Sequence, residues 1–334
     1  MKKFTAITSV ALTASIIISG CSGSSATAMQ IGDITVSQGD IEIVADAYMA
    51  NIGDFDTAKS YAVEVMEEAI TAYAVAQANG LTLTEDEELS VTQGKANFAM
   101  AFGSASDYKK ELRAKGGNDE IIEAFIAQPL YEAKLEEQAA IAEPTDDEAK
   151  EYFKENYRRA KHVLLRTDTG EDKDFVKSRA ENILERAQNG ENFDDLVSNF
   201  SEDPGSSSAP DGYIFTDGEM VDEFDEAVKS IQPGEFTMCE SSYGYHIIQR
   251  LPLDESDSKF NEFFEQYKEA AKSAKMDSDL KAAIQTMADE AGITVEVFDD
   301  VINAIPSPTP QVTEEPDDSA DTTEAASSET TQSE

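Results

Sequence analysis

Ala160-Lys161-His162-Val163-Leu164-Leu165 is a short apolar run with one histidine inside it, and it reads as a β-strand. The residues after it set the fold. Thr167 to Asp174 is polar and acidic, a loop. Val176, Ala180, Ile183, Leu184 and Ala187 share one helical face, and Gly190 closes that helix. Phe193, Leu196, Val197 and Phe200 form a second short helix, followed by a loop of Ser, Pro, Gly and Asp up to Gly212. Tyr213 to Phe215 is a strand. Phe224, Ala227, Val228 and Ile231 make a third helix, ended by Pro233-Gly234. Phe236 to Cys239 and Tyr245 to Leu251 close the unit as strands. The order β-α-α-β-α-β-β describes a compact α+β domain.

On its N-terminal side the texture is helical. Ile31 to Val36 is a short extended piece with a turn, and Gly39 to Ala142 is helical in pattern. Val63, Met66, Ile70 and Tyr73 recur at three- and four-residue spacing, with Asp56 or Thr57 as the expected cap and Gly80 as the end. A helix is expected over Thr84 to Ala101. Gly116-Gly117 breaks a further one, and Ile121 to Ile141 resumes helical spacing. Pro144 marks a boundary, and Thr145 with Glu148 has capping-box spacing ahead of Tyr152 and Phe153. On the C-terminal side Phe260 to Ala291 is helical, with Phe260, Phe263, Phe264 and Tyr267 clustered as core, and Ile293 to Phe298 is a strand. From Pro306 to Glu334 the chain is Pro, Ser, Thr and acidic, which predicts a disordered tail.

The net charge is −42, from 26 basic and 68 acidic residues. Phosphate neutralisation needs an excess of Lys and Arg, so a nucleic-acid partner is excluded. There are two cysteines, Cys21 and Cys239, and two histidines, His162 and His246. No internal disulfide and no metal-ligand spacing is expected, and nothing implies a cofactor.

Met1 to Gly20 has the layout of an export signal: Lys2 and Lys3, then an apolar or small-residue stretch too short for a comfortable membrane span. It ends in Ile18-Ser19-Gly20-Cys21, which resembles the bacterial lipobox. That resemblance implies cleavage before Cys21, a diacylglycerol on its thiol and localisation at the outer face of the cell membrane. Ser22 to Thr27 is a Gly/Ser-rich tether.

The segment from His162 to Leu251 resembles the parvulin-type peptidyl-prolyl isomerases. "AKHVLL" (160–165) is similar to that family's first strand with its histidine. "FDDLVSNFSEDPGSSS" (193–208) resembles the helix and active-site loop, with Asp203 on the position held by Asp or Cys. "YIFTDGEMVDEF" (213–224) resembles the stretch that supplies an apolar proline pocket, here Phe215, Met220 and Phe224. "PGEFTMCESSYGYHIIQRL" (233–251) resembles the closing strands, with His246 on the second histidine and Tyr243-Gly244-Tyr245 on the turn before it. Two departures stand out. The usual Gly-Gly-Asp-Leu-Gly run is here Ala209-Pro210-Asp211-Gly212-Tyr213, and the arginines of phospho-directed parvulins are replaced by Thr167 to Asp172. With the signal segment and the helical flank, the whole resembles the PrsA-type foldase lipoproteins and, more distantly, the periplasmic chaperone SurA.

The resemblance implies catalytic roles for His162, Asp203 and His246, and substrate contacts from Phe215, Met220, Phe224 and Tyr243. The clients implied are unfolded secreted proteins containing X-Pro bonds. It also implies an architecture: a signal peptide (1–20), a lipidated linker (21–30), a helical chaperone domain (31–157), a parvulin domain inserted at 158–253, a helix and strand returning to the chaperone domain (254–305) and a tail (306–334). The chemistry needs no nucleophile, because isomerisation breaks no bond. A catalyst must grip the proline ring and favour the twisted amide. Two other readings stay open: a non-catalytic chaperone whose parvulin unit binds extended segments, and a wall-associated structural lipoprotein. A homodimer is neither required nor excluded.

Overall fold

A computed structural model of the chain describes residues 25–307. The signal-like segment with Cys21, and all but the first residues of the acidic tail, lie outside them. The chain divides into two compact units, one of residues up to Glu132 together with those from Met287 onward, the other Ala133–Thr286.

The first unit carries a hairpin of β1 (Thr27–Ile31) and β2 (Ile34–Ser37), then helices α1 (Gln38–Ile52), α2 (Phe55–Ala78), α3 (Glu85–Ala99), α4 (Ala105–Lys115) and α5 (Asp119–Ile126). The chain leaves it within α6 (Gln128–Ala139). The α2 cap is Asp54, whose carboxylate accepts from the Thr57 amide, rather than Asp56 or Thr57. Thr57 is the donor and Asp54 the extended residue before the first turn, which is what a cap requires. The expected continuous helix over 121–141 is two helices, with Ala127 between them. Pro129 has no N–H to continue α5 and is tolerated only in a first turn, so α6 starts afresh around it.

Unit two runs α7 (Asp146–Asn156), β3 (Arg158–Arg166), α8 (Lys173–Gln188), α9 (Phe193–Phe200), β4 (Tyr213–Phe215), α10 (Asp222–Lys229), β5 (Phe236–Ser241), β6 (Gly244–Leu251) and most of α11 (Phe260–Ala291). Thr145 and Glu148 form the capping box of α7. After α11 the chain is back in the first unit, where β7 (Val295–Val297) pairs antiparallel with β1 and completes a β2-β1-β7 sheet, and α12 (Asp299–Asn303) follows. No helix of the described residues is long and apolar enough to cross a membrane.

The second unit's sheet has the order β4-β3-β6-β5, antiparallel throughout. Side chains alternate across it. Val163, Leu165, Tyr245 and Ile247 face α8 and α9, where Val176, Ala180, Ile183 and Leu196 complete one core. Ala160 and Ile248 face the other way, toward Phe215, Phe224 and Val228. A third cluster joins Phe153 and Tyr157 of α7 and its exit to Phe260, Phe263 and Phe264 of α11. Gly244 holds the β3–β6 register at its start. Its φ is 139°, and a Cβ there would lie 2.1 Å from the Leu165 carbonyl oxygen.

Candidate functional site

The register brings the two histidines together. In the β3–β6 ladder Leu164 is opposite His246, and His162 is opposite Ile248. His162 and His246 are therefore diagonal neighbours on one face, within reach of each other's rings. The imidazoles stack with centroids 5.1 Å apart at 18°, and Nδ1 meets Nδ1 at 3.0 Å. Phe224 of α10 stands edge-on to both rings, at 5.2 and 5.6 Å. Both histidines are buried.

Asp203 arrives from the loop after α9. β4 pairs with only Arg158 to Ala160, so the edge of β3 beyond is open to other partners. The loop supplies them. The Glu202 amide donates to the Leu164 carbonyl at 2.8 Å, the Leu164 amide donates to Ser201 Oγ at 3.2 Å, and the Arg166 amide donates to the Glu202 carboxylate at 2.7 Å. Held along the strand in this way, the loop delivers Asp203 Oδ2 to within 2.9 Å of His162 Nε2. The Tyr213 hydroxyl donates to the same oxygen at 2.6 Å, and the Gly205 amide donates to Oδ1 at 3.0 Å. At the other end, Ser241 Oγ lies 2.8 Å from His246 Nε2 and accepts from the Tyr243 amide at 3.1 Å.

Charge fixes the protons. Burial works to raise the Asp203 carboxyl, but hydrogen bonds from Tyr213, His162 and the Gly205 amide hold it below the usual carboxylate range. Asp203 therefore only accepts, and His162 Nε2 carries its proton. His162 Nδ1 is then an acceptor, His246 Nδ1–H donates to it, and Ser241 O–H donates to His246 Nε2. Each contact in the chain then has one donor and one acceptor. Burial, with a smaller contribution from the neighbouring His162, pushes His246 down to about 4, which keeps that ring neutral near pH 7.

Above the imidazole pair opens a cleft of about 570 Å³. Its floor is His162, His246 and Asp203, its walls include Leu164, Met220, Val221, Phe224 and Tyr243, and Arg166 and Glu219 stand at its rim. Tyr243 is 56% exposed, free to meet a bound chain. Phe215 is placed elsewhere: it is 1% exposed, lies behind Phe224 with ring centroids 5.8 Å apart, and is not part of the lining. Arg166 is engaged by Asp168 through two contacts, so the rim presents no free guanidinium. Tyr213 and Ser241 were not anticipated as site residues. Their signal in the sequence is faint, a tyrosine at the end of an altered loop and a serine before a tight turn.

These features are those of a parvulin domain, and residues 148–251 match the family model of the PPIC-type PPIASE domain. Relatives extend the likeness. The chain is 32% identical over 160 residues to the foldase protein PrsA of Geobacillus sp. (strain WCH70), covering 46% of this chain and 53% of that one. It is 26% identical over 287 residues to the foldase protein PrsA of Oceanobacillus iheyensis, covering 81% and 90%. The crystal structure of peptidylprolyl isomerase (PrsA) from Bacillus anthracis matches at 20% identity over 69% of this chain and 98% of that one, with a TM-score of 0.32. The chain thus spans about half the length of the first relative. The chain therefore carries a PPIC-type PPIASE domain over residues 148–251, and it is similar to the foldase proteins PrsA over a longer stretch.

Proposed function

We propose that this chain is an extracytoplasmic foldase that catalyses cis-trans isomerisation of X-Pro bonds in unfolded secreted proteins, held at the membrane by a lipid on Cys21. The observation that carries the catalytic part is the stacked imidazole pair, Nδ1 to Nδ1 at 3.0 Å, lying under an apolar cleft. Rotation of a peptide bond is opposed by a barrier of roughly 18–20 kcal/mol that comes from amide resonance. An X-Pro bond exchanges over tens to hundreds of seconds unaided.

The twisted amide has lost that resonance and is less polar than either planar form. An apolar cleft favours it over both, which is differential binding of the transition state. Met220 and Phe224 grip the pyrrolidine ring. His162, His246 and Asp203 form a fixed array of dipoles behind the carbonyl and shape the floor, with no proton transferred to substrate. Tyr243 meets the chain at the mouth of the cleft. Phe215 acts indirectly, by backing the ring of Phe224.

A proline-peptide assay on the full chain tests this. Met220→Ala and His246→Ala should each lower kcat/KM by roughly tenfold, the loss of about 1.4 kcal/mol of transition-state stabilisation. Unchanged rates in both variants would falsify the catalytic assignment and favour the domain as a binding module alone. For the anchor, Cys21→Ser should shift the protein from the membrane fraction to the soluble one. Continued membrane retention of that variant rules the lipid out.

A further inference from the structure

We infer that Tyr213 is a positioning residue of the isomerase site, its hydroxyl acting through Asp203 to fix which nitrogen of His162 holds the proton, and so the direction of the whole hydrogen-bond chain. The inference rests on the isomerase reading for its kinetic consequence but not for its structural one.

Three observations converge on the Tyr213 hydroxyl. Tyr213 is paired with Ala160 across the β4–β3 ladder, so its backbone is anchored beside the strand that bears His162. From there its ring stands edge-on to His162, with centroids 5.7 Å apart at 86°, and its hydroxyl passes over the imidazole to Asp203 Oδ2 at 2.6 Å. The ring therefore buttresses the histidine while the hydroxyl shares the oxygen that the histidine donates to. Burial, reinforced by the bond to Asp203, raises the phenol well above its ordinary value, so it remains a donor wherever the fold persists.

The third observation is Gly205. Its φ of −78° is ordinary right-handed backbone that any residue adopts, so conformation does not call for glycine. Space does. A Cβ at 205 would lie 2.5 Å from the Tyr213 hydroxyl oxygen. A glycine in the active-site loop and a tyrosine on β4 thus serve one contact. The tyrosine stands where the parvulin resemblance leads one to expect glycine, which makes the device a property of this chain's altered loop.

The consequence follows from the inventory of protons. Besides Tyr213 from β4, the groups around the carboxylate are His162 from β3, His246 behind it from β6, Arg166 further along β3, Glu202 beside it in the loop and Glu219 at the rim. Lys161, also on β3, is engaged by Asp194 of α9. Only His162 and Tyr213 donate side-chain protons to the Asp203 carboxylate among the bonds described, the Ser206 hydroxyl donating to the Asp203 backbone carbonyl instead. Removing the hydroxyl removes a donor that favours the charged form, so Asp203 takes up a proton at higher pH. Once protonated it no longer demands a proton on His162 Nε2, and the tautomer of both rings becomes free to exchange.

The test uses the full chain labelled with 15N at histidine. The chain has two histidines, so two rings account for the whole imidazole spectrum. The wild type should show His162 protonated at Nε2, the nitrogen that faces Asp203. Tyr213→Phe keeps the ring and removes the hydroxyl. It should move the acid limb of the rate profile to higher pH and, on that limb, where Asp203 has taken up its proton, mix the His162 tautomers and lower kcat about tenfold against the wild type at the same pH with little change in KM. Gly205→Ala should act in the same direction by displacing the hydroxyl. In the Tyr213→Phe background, where the clash is gone, it should add little. A Tyr213→Phe variant with the wild-type imidazole pattern and an unmoved acid limb overturns the inference, as does full additivity of the two substitutions. An inactive wild type whose tautomers still mix in Tyr213→Phe would remove the isomerase reading and leave the positioning role standing.

Discussion

The two faces of the β4-β3-β6-β5 sheet come from the same strands and do opposite work. On one face Val163, Leu165, Tyr245 and Ile247 meet α8 and α9 in an apolar core that contains no imidazole. On the other, one residue out of step, His162 and His246 meet Phe224 and Asp203 in a network where every polar atom has a partner. A one-residue slip would exchange the two sets, because side chains alternate with period two. The apolar face thus supplies the energy that keeps the register, and the polar face is what the register is for. Buried polar groups stabilise little on balance, and their cost falls sharply only when all are satisfied. A site of this kind therefore depends on a strong core behind it.

The separation of roles is sharpest in a substitution confined to the apolar face. Ile247 is fully buried, directly opposite Val163, and its side chain points away from the cleft. Ile247→Ala should cost about 3 kcal/mol of unfolding free energy, from lost burial and an unfilled cavity. Measured by denaturant titration, the midpoint should fall while kcat/KM per folded molecule, taken well below the transition, stays at the wild-type value. A large kinetic loss in the folded protein would mean that the two faces are coupled more tightly than their packing implies.

How much of this was legible in the sequence follows the same division. The elements of the second unit were readable because each buries one periodic face: Val176, Ala180 and Ile183 on α8, or Val163 and Leu165 on β3. The pairing of β1 with β7 was not, since nothing local in Val295–Val297 marks a partner at the far end of the chain. At the site, His162, Asp203 and His246 were anticipated, and the structure draws them into one network. Tyr213 and Ser241 escaped notice because their roles come from reach. A hydroxyl finds a carboxylate only after the loop from Ser201 to Gly205 has been laid along β3. Phe215 shows the reverse. Its type suits a proline pocket, but it lies two residues along β4 from Tyr213, behind Phe224 and away from the opening. Composition identifies candidates for such a pocket, and the path of the backbone decides which of them line it.

Acid should act on one face only, and by a smaller amount. His246 is pushed down to about 4 by burial and by His162, whereas in the unfolded chain an imidazole takes its proton near 6.5. As the pH falls from 6.5 toward 4, the unfolded state binds a proton that the native state refuses. Stability contributed by this group is therefore complete above about 6.5 and declines with falling pH through that window. By pH 5 about 2 kcal/mol should be gone relative to neutral pH. His246→Gln keeps a polar side chain on the same face but removes the titration, so its unfolding free energy should be flatter between pH 5 and 7. Ile247→Ala, on the apolar face, should lower the whole curve and keep the wild-type slope. If the slope survived in His246→Gln, the acid sensitivity would belong to groups elsewhere, and His246 would not be the titrating element of this fold.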